Sequence, residues 1–452
     1  MHVSTLTKIG FVLSVAALML AYGVAANEFG WFPNSLLRRA AKQAQAVYSS
    51  WSPAPPGATP RVYERKGVQI KSASKMQPGL TLLASSWENS DYWKPGLRLV
   101  DSKGQILHEW LFDRSIFQGG PSQRFDPERA DIHGSDLLPG GDVVFNLSYV
   151  GMARLNACGD VLWTLKKGNH HSIARAEDGS FWVPGVSRRP RAKSEHHPDG
   201  FPGLDDPVWV DQILHVAEDG TLLDEFIVLD LLYANGLERF IVQEHQPEAG
   251  TDGPRTRNIT HLNDVEPLPP SMADEYPLFE EGDLLVSIRN LHLVFVVDPG
   301  SKTIKWYASE PFIQQHDPDF IGDGWIGVFD NRDDFVDRGG MLGGSRIVAL
   351  QPHTDSTEVL FPTRRSDPFY TDVQGKWQML ENGNMLLTEA VAGRVVEATP
   401  DGRTVWEWIR EPYDNSKVTL VTKASRHDLT VDEVASWSCS SVDSIRASAK
   451  NQ

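Results

Sequence analysis

The sequence predicts an all-β chain, a six-bladed β-propeller preceded by an N-terminal hydrophobic helix. Two patterns and their spacing carry that expectation. First, a unit of strand, polar turn and strand, often ending in Trp, recurs six times. The copies are "GLRLVDSKGQILHEWLF" from Gly96, "GMARLNACGDVLWTLK" from Gly151, "DQILHVAEDGTLLDEF" from Asp211, "LHLVFVVDPGSKTIKWYA" from Leu291, "SRIVALQPHTDSTEVLF" from Ser345 and "GRVVEATPDGRTVWEWI" from Gly393. Alternation and turn chemistry make each a hairpin. Second, another strand pair lies upstream of each, so every unit supplies a four-stranded antiparallel sheet. The units follow one another at roughly 40 to 60 residues, the spacing of propeller blades, which hide sheet edges by radial repetition. A pair of β-sandwiches predicts no such repetition, and WD40 and kelch signatures are absent.

The chain begins with an uncharged apolar run, Ile9 to Ala26, after Lys8. It is near the minimum length for a bilayer span and long for a signal-peptide core, and "VAA" before Asn27 offers a cleavage site. Residues 1–26 are therefore expected to be a signal anchor or a signal peptide. Either leaves the protein membrane-anchored or secreted, with the propeller on the extracytoplasmic (periplasmic) side. Arg38, Arg39 and Lys42 follow the run and oppose that orientation; their distance from it reduces their weight. Residues 27–60 read as a helix, "NSLLRRAAKQAQAVYSSW", and a Pro-rich linker, "SPAPPGAT". The propeller is expected over 61–423, and residues 424–452 as a helical or loose tail.

Composition narrows the function. A 40% apolar fraction and 14 Trp fit a chain of 452 residues with a large core. A formal charge of −17 argues against a nucleic-acid binder, since phosphate backbones are held by basic surface. The two cysteines, Cys158 and Cys439, lack metal-site spacing. Such sparing use suits an extracytoplasmic protein, and a disulfide between them is possible.

The candidate chemistry lies in histidines that recur with the blades. His133, His171 and His316 each stand eight residues ahead of a turn glycine, Gly141, Gly179 and Gly324. His261 opens the same kind of segment, its turn swollen by the acidic, Pro-rich insertion "MADEYPLFEEG". A fifth copy, "KWQMLENGNMLLTEA", has no histidine, and Gln378 lies nearest the position. Equivalent positions in successive blades sit at equivalent depth around one axis, so the four imidazoles are expected to converge on the channel mouth. Arg289, with Asn290 and His292, lies in the strand after His261. Asn263 follows His261 by two residues, on the same strand face. Imidazoles, a guanidinium and amides suit an anion with several oxygens.

These residues resemble a known family. "HLNDVEPL", then "GDLLVSIRNLHLVFVVDPGSKTIKWYASEPFIQQHDPDFIGDGWIGVFDN", look like the core of the arylsulfate sulfotransferases, with the likeness running from about Gly79 to Arg410. The resemblance implies a six-bladed propeller, mostly exported, that moves a sulfuryl group from a phenolic sulfate ester to a phenol. It implies no nucleotide donor, no cofactor and no metal. By position it makes His316, in the "QHD" context, the nucleophile that is transiently sulfated. His261 and Asn263 match the "HxN" pair and Arg289 the "SxR" arginine; an earlier histidine completes the site, His171 or its rival His133. Typical members carry a β-sandwich domain before the propeller, where this chain has the apolar segment and helix. The separation of "HxN" and "QHD" also looks shorter here.

Two other functions fit the same residues: a non-catalytic propeller that binds a ligand or protein, and a metal-dependent hydrolase or lyase using the histidines. "GNHHS" points toward metal, but no Cys or carboxylate stands at ligand spacing. The Asp-Gly turns and terminal Trp residues read as architecture, and the acidic insertion as a solvated loop or a lid over the mouth. The sequons at Asn146 and Asn258 are candidate glycosylation sites.

Overall fold

The computed structural model describes residues 5–28, 57–89, 92–117, 130–204, 206–243, 258–334 and 336–437. Residues 1–55 and 56–452 form separate units. In the first, an α-helix spans Thr5–Glu28. Among the described residues no helix is long and apolar enough to cross a membrane, so the structure does not support the expected tether. The helix expected over residues 34–51 lies outside the described residues.

The second unit is the propeller. Among the described residues the blades are six antiparallel sheets, five of four strands and one of five; four take their strands in chain order, and blades one and six each add a strand from the opposite end of the chain. The hairpins read from the sequence are the third and fourth strands of each blade. The first strand of each blade is innermost: Leu262–Pro267 is almost wholly buried, whereas the fourth strand Ser356–Phe361 is mostly exposed. The inner strands are Val421–His427, Ile132–Leu137, Ala174–Arg175, Leu262–Pro267, His316–Phe320 and Lys376–Met379 for blades one to six. Blade one closes the ring, because Val421–His427 pairs with Leu80–Ser85 from the other end of the chain. The tail expected after Lys423 is thus partly this closing strand, followed by a short helix, Val431–Ser436, with a Thr430–Glu433 capping box.

Blade contacts explain the turn and Trp pattern. A Trp of a blade's fourth strand reaches a turn of the next blade. Trp110 Nε1 donates to Gly141 O (3.1 Å), Trp163 Nε1 to Glu218 O (3.0 Å) and Trp406 Nε1 to Ser102 O (2.9 Å). At Gly220, with φ +86°, a Cβ would lie 2.6 Å from the Trp163 ring. The turn therefore needs glycine both for its left-handed backbone and for the indole. The linker is not free either: Ala58–Pro60 pairs with Lys417–Thr419, and Gly67–Ile70 adds a fifth strand to blade six.

The acidic insertion is mostly exposed, as a solvated loop would be, but two of its residues anchor it. Its Tyr276 and Phe279 are buried with Leu268, Phe312 and Phe320, and Tyr276 Oη donates to Trp325 O (2.7 Å). It follows the far end of the inner strand Leu262–Pro267, so it cannot cover the end where His261 lies. The sequon residue Asn146 is fully buried, with Nδ2 donating to His171 O and Ser172 O (3.1 and 2.9 Å); it supports the site from inside. Cys158 is disulfide-bonded, and the chain's other cysteine, Cys439, lies outside the described residues.

Candidate active site

The structure brings all four recurring histidines together where the inner strands begin. His171 is their hub. Its ring centroid lies 4.7 Å from that of His133, 5.0 Å from His261 and 6.1 Å from His316. The strand starts are irregular in a shared way. The ladder shifts between Ile132 and Ser135, Leu262 and Asp264, and His316 and Asp319. His171, His261 and Asp317 have left-handed φ of 56°, 54° and 48°. Bulges re-aim side chains, and left-handed non-glycine residues cost about 1–3 kcal/mol each unless surroundings hold them. The convergence is therefore built against local backbone preference.

His316 has a determined tautomer. Asn331 donates its amide hydrogens to Thr371 O and Gln374 O (2.9 and 2.7 Å), so its Oδ1 must accept from His316 Nδ1 (2.7 Å). The lone pair is then on Nε2. Burial holds the imidazole well below its ordinary pKa, and the charges of Arg289 and Lys376 add to that. His316 is thus held as the neutral imidazole at pH 7. The chain before it is gripped by blade four. Arg289 Nη2 donates to Gln314 Oε1, Gln314 N to His292 Nδ1 (2.9 Å), and Asn263 Nδ2 to Gln315 O (2.7 Å). Asn263, expected at the substrate, instead gives its amide to the backbone beside His316. Arg289 lies just past its strand, in a short 3-10 turn, Arg289–Leu291.

The other histidines form a connected row. Asn258 Nδ2 faces His261 Nδ1 (2.6 Å), His261 Nε2 faces His171 Nε2 (3.3 Å), and His171 Nδ1 faces His170 Nδ1 (2.6 Å). His170 Nε2 lies 3.8 Å from Asp211 Oδ1. Burial, then the neighbouring imidazoles, push His171 well below its usual pKa. His133 stands to the side: Gln374 Nε2 donates to its Nε2 (3.0 Å), and burial lowers its pKa to about 4. Gln374, not Gln378, therefore takes the histidine place in blade six; Gln378 Nε2 donates to Arg426 O on the closing strand.

Beneath His316 lies an ionic layer that the sequence reading missed. Lys376 sits between Asp264 (2.6 Å) and Asp317. Burial opposes its charge, yet the two carboxylates hold the ammonium above its ordinary range. Burial raises Asp264 to about 6 and Glu266 to about 7. A cavity of about 450 Å³ continues along the axis, with Asp136, Arg175, Glu266, Asp319, Gln378 and Ser425 each contributed by a different blade. Among the described residues no group of three or more His, Cys, Asp or Glu side chains is arranged to hold a metal ion.

Several solved structures are similar to this chain. A protein of unknown function from Bacteroides caccae is 11% identical, with 77% of this chain and 98% of that one covered and a TM-score of 0.47. A streptogramin B lyase is 12% identical over 80% of this chain and 97% of that one, at 0.39. A virginiamycin B lyase from Staphylococcus aureus is 10% identical over 67% and 86%, at 0.34. No curated protein matches the chain. The family model described as arylsulfotransferase (ASST) matches residues 134–411, which span His171, His261, His316, Arg289 and Asn331 but begin just after His133, and the chain belongs to that family.

Proposed function

We propose that the protein is an aryl sulfotransferase that works without a nucleotide donor, through a sulfated His316. The observation that carries this reading is the fixed tautomer of a buried, neutral His316 beside Arg289 and three further imidazoles. In the first half-reaction the Nε2 lone pair attacks the sulfur of an aryl sulfate. The N–S bond forms and the ester S–O bond breaks. The leaving phenolate takes a proton from His261 in its protonated form. In the second, a phenol oxygen attacks sulfur, its proton returns to His261, and the N–S electron pair returns to Nε2. Arg289 and the neighbouring N–H groups stabilise charge on the transferring oxygens, as in phosphoryl transfer. His171 partners His261, and His133 lines the same group.

The test is steady-state kinetics with 4-nitrophenyl sulfate and phenol. Parallel double-reciprocal lines, with nitrophenolate release dependent on phenol, are expected. Lines that intersect, or release at full rate without phenol, contradict the double displacement. We also propose that the propeller works outside the cytoplasm, a reading supported by the disulfide at Cys158. Labelling of intact cells by a membrane-impermeant amine reagent tests it; protection of the protein until lysis contradicts it.

A further inference from the structure

A second cavity, of about 490 Å³, lies between blades one and six. That is within the size range of small-molecule sites. None of its lining residues belongs to the histidine group. Two aromatic pairs wall it. Trp87 and Trp408 meet edge to face at 6.4 Å, and Trp93 and Tyr413 at 5.8 Å.

The unusual residue here is Arg410. It is 6% exposed, and its guanidinium carbon lies 4.1 Å from the centre of the Trp87 ring. Nη2 donates to Ser86 O, but Nε and Nη1 have no acceptor among the described residues. Asp131, the carboxylate nearest in charge, is occupied by Ser86 Oγ (2.6 Å) and Arg114 (3.9 Å). A second cation, Arg98, stands over the same indole at 4.2 Å. Burial and Arg98 together push Arg410 down to about 9. Buried guanidinium donors are normally paired, and a chain of net charge −17 has carboxylates to spare. Here two cations converge on an aromatic cleft, and Arg98 alone has an acid partner, Glu109 at 2.5 Å. At the rim Glu411 is paired with Lys66 at 2.7 Å.

We propose that this cleft binds a small aromatic anion, an aryl ring bearing a sulfonate, sulfate or carboxylate group. The ring lies against the Trp and Tyr walls and the anionic group faces the two guanidinium charges, Arg98 at the cavity wall and Arg410 behind it. Aromatic walls give area with little entropy cost, and guanidinium–oxyanion hydrogen bonds supply the selection for charge. The site is independent of sulfuryl transfer at His316.

The probe is naphthalene-2-sulfonate, whose sulfur is bonded to carbon and so cannot be transferred. It is titrated calorimetrically into the full chain and into His316→Ala, with naphthalene-2-sulfonamide as the neutral counterpart. In addition to any binding at the histidine site, one equivalent is expected to bind the cleft of both proteins with the same affinity, and the sulfonamide about tenfold or more weakly. Arg410→Gln is expected to weaken the sulfonate about tenfold or more. Trp93→Ala, at a half-buried position, weakens both ligands several-fold and decides the matter if Arg410→Gln does not fold. Wild-type affinity in Arg410→Gln or in Trp93→Ala, equal affinity for the sulfonamide, or loss of binding in His316→Ala overturns the proposal. So does the absence of binding.

Discussion

Asn331→Ala tests how the fold prepares His316. The side chain makes three buried hydrogen bonds: from Nδ2 to Thr371 O and Gln374 O, and from His316 Nδ1 to Oδ1. Alanine removes all three; it leaves Gln374 O and the imidazole N–H short of a side-chain partner, while Thr371 O keeps Ser345 Oγ at 3.1 Å. At about 1 kcal/mol net per bond, and more for a group left buried and unpaired, stability should fall by about 3–5 kcal/mol. Activity should fall for a separate reason. The imidazole is no longer held with its lone pair on Nε2, and a positional loss worth about 1.4–2.7 kcal/mol is a 10- to 100-fold fall in kcat. KM should change little, since Asn331 reaches His316 rather than the substrate. Asn331→Asp separates tautomer from charge. It keeps the acceptor but places a carboxylate on the imidazole, which should raise the His316 pKa by about 1–3 units and move the acid limb of kcat upward. Both variants are assayed for nitrophenolate release across pH, with folding checked by urea melts. A folded Asn331→Ala with wild-type kcat, or an Asn331→Asp profile without a shift, refutes the reasoning.

Arg289→Lys keeps the charge but loses the planar fork, and should lower turnover about 100- to 1000-fold; steady-state kinetics decide it. His133 is held at about 4, below its unfolded value of 6.5. As pH falls through this window the unfolded chain takes up the proton first, so stability is lost between about 6.5 and 4. The full loss is about 3 kcal/mol. His133→Gln should therefore lose about 2–3 kcal/mol less than the parent between pH 7 and 4 in urea unfolding. Asp264 and Glu266, held up near 6 and 7, act in the opposite sense and cancel in the comparison. Ending the chain at Leu420 removes the strand that pairs with Leu80–Ser85. Cooperative thermal unfolding by calorimetry should then be lost.

The parts of this molecule that repeat were legible in the sequence. Six hairpins with Asp-Gly turns and terminal Trp gave the blades, because each Trp and each turn meets the same neighbour in every unit where it recurs. The histidines were legible for the same reason: one offset in three blades, and the same kind of segment with a swollen turn in a fourth, meant one depth on the axis. What occurs once was hidden. Asn331 belongs to no repeat, yet it sets the His316 tautomer across 15 residues. Lys376 gave no signal beside Trp377, since its two carboxylates come from blades four and five. The closing strand looked loose because its residues from Thr422 to His427 are polar apart from Ala424, so it shows no apolar alternation, and Lys423, Ser425 and His427 line the axial cavity. Asn263 was assigned to the substrate by strand alternation. The ladder irregularity between Leu262 and Asp264 breaks that alternation and turns the amide toward Gln315.

The most direct test of the central claim is the intact mass of the protein after brief exposure to 4-nitrophenyl sulfate without an acceptor phenol. The parent should gain the mass of one sulfuryl group and lose it when phenol is added. His316→Ala should gain none, and His261→Ala should gain it slowly. A His316→Ala protein that acquires the sulfuryl group at the parental rate contradicts the account.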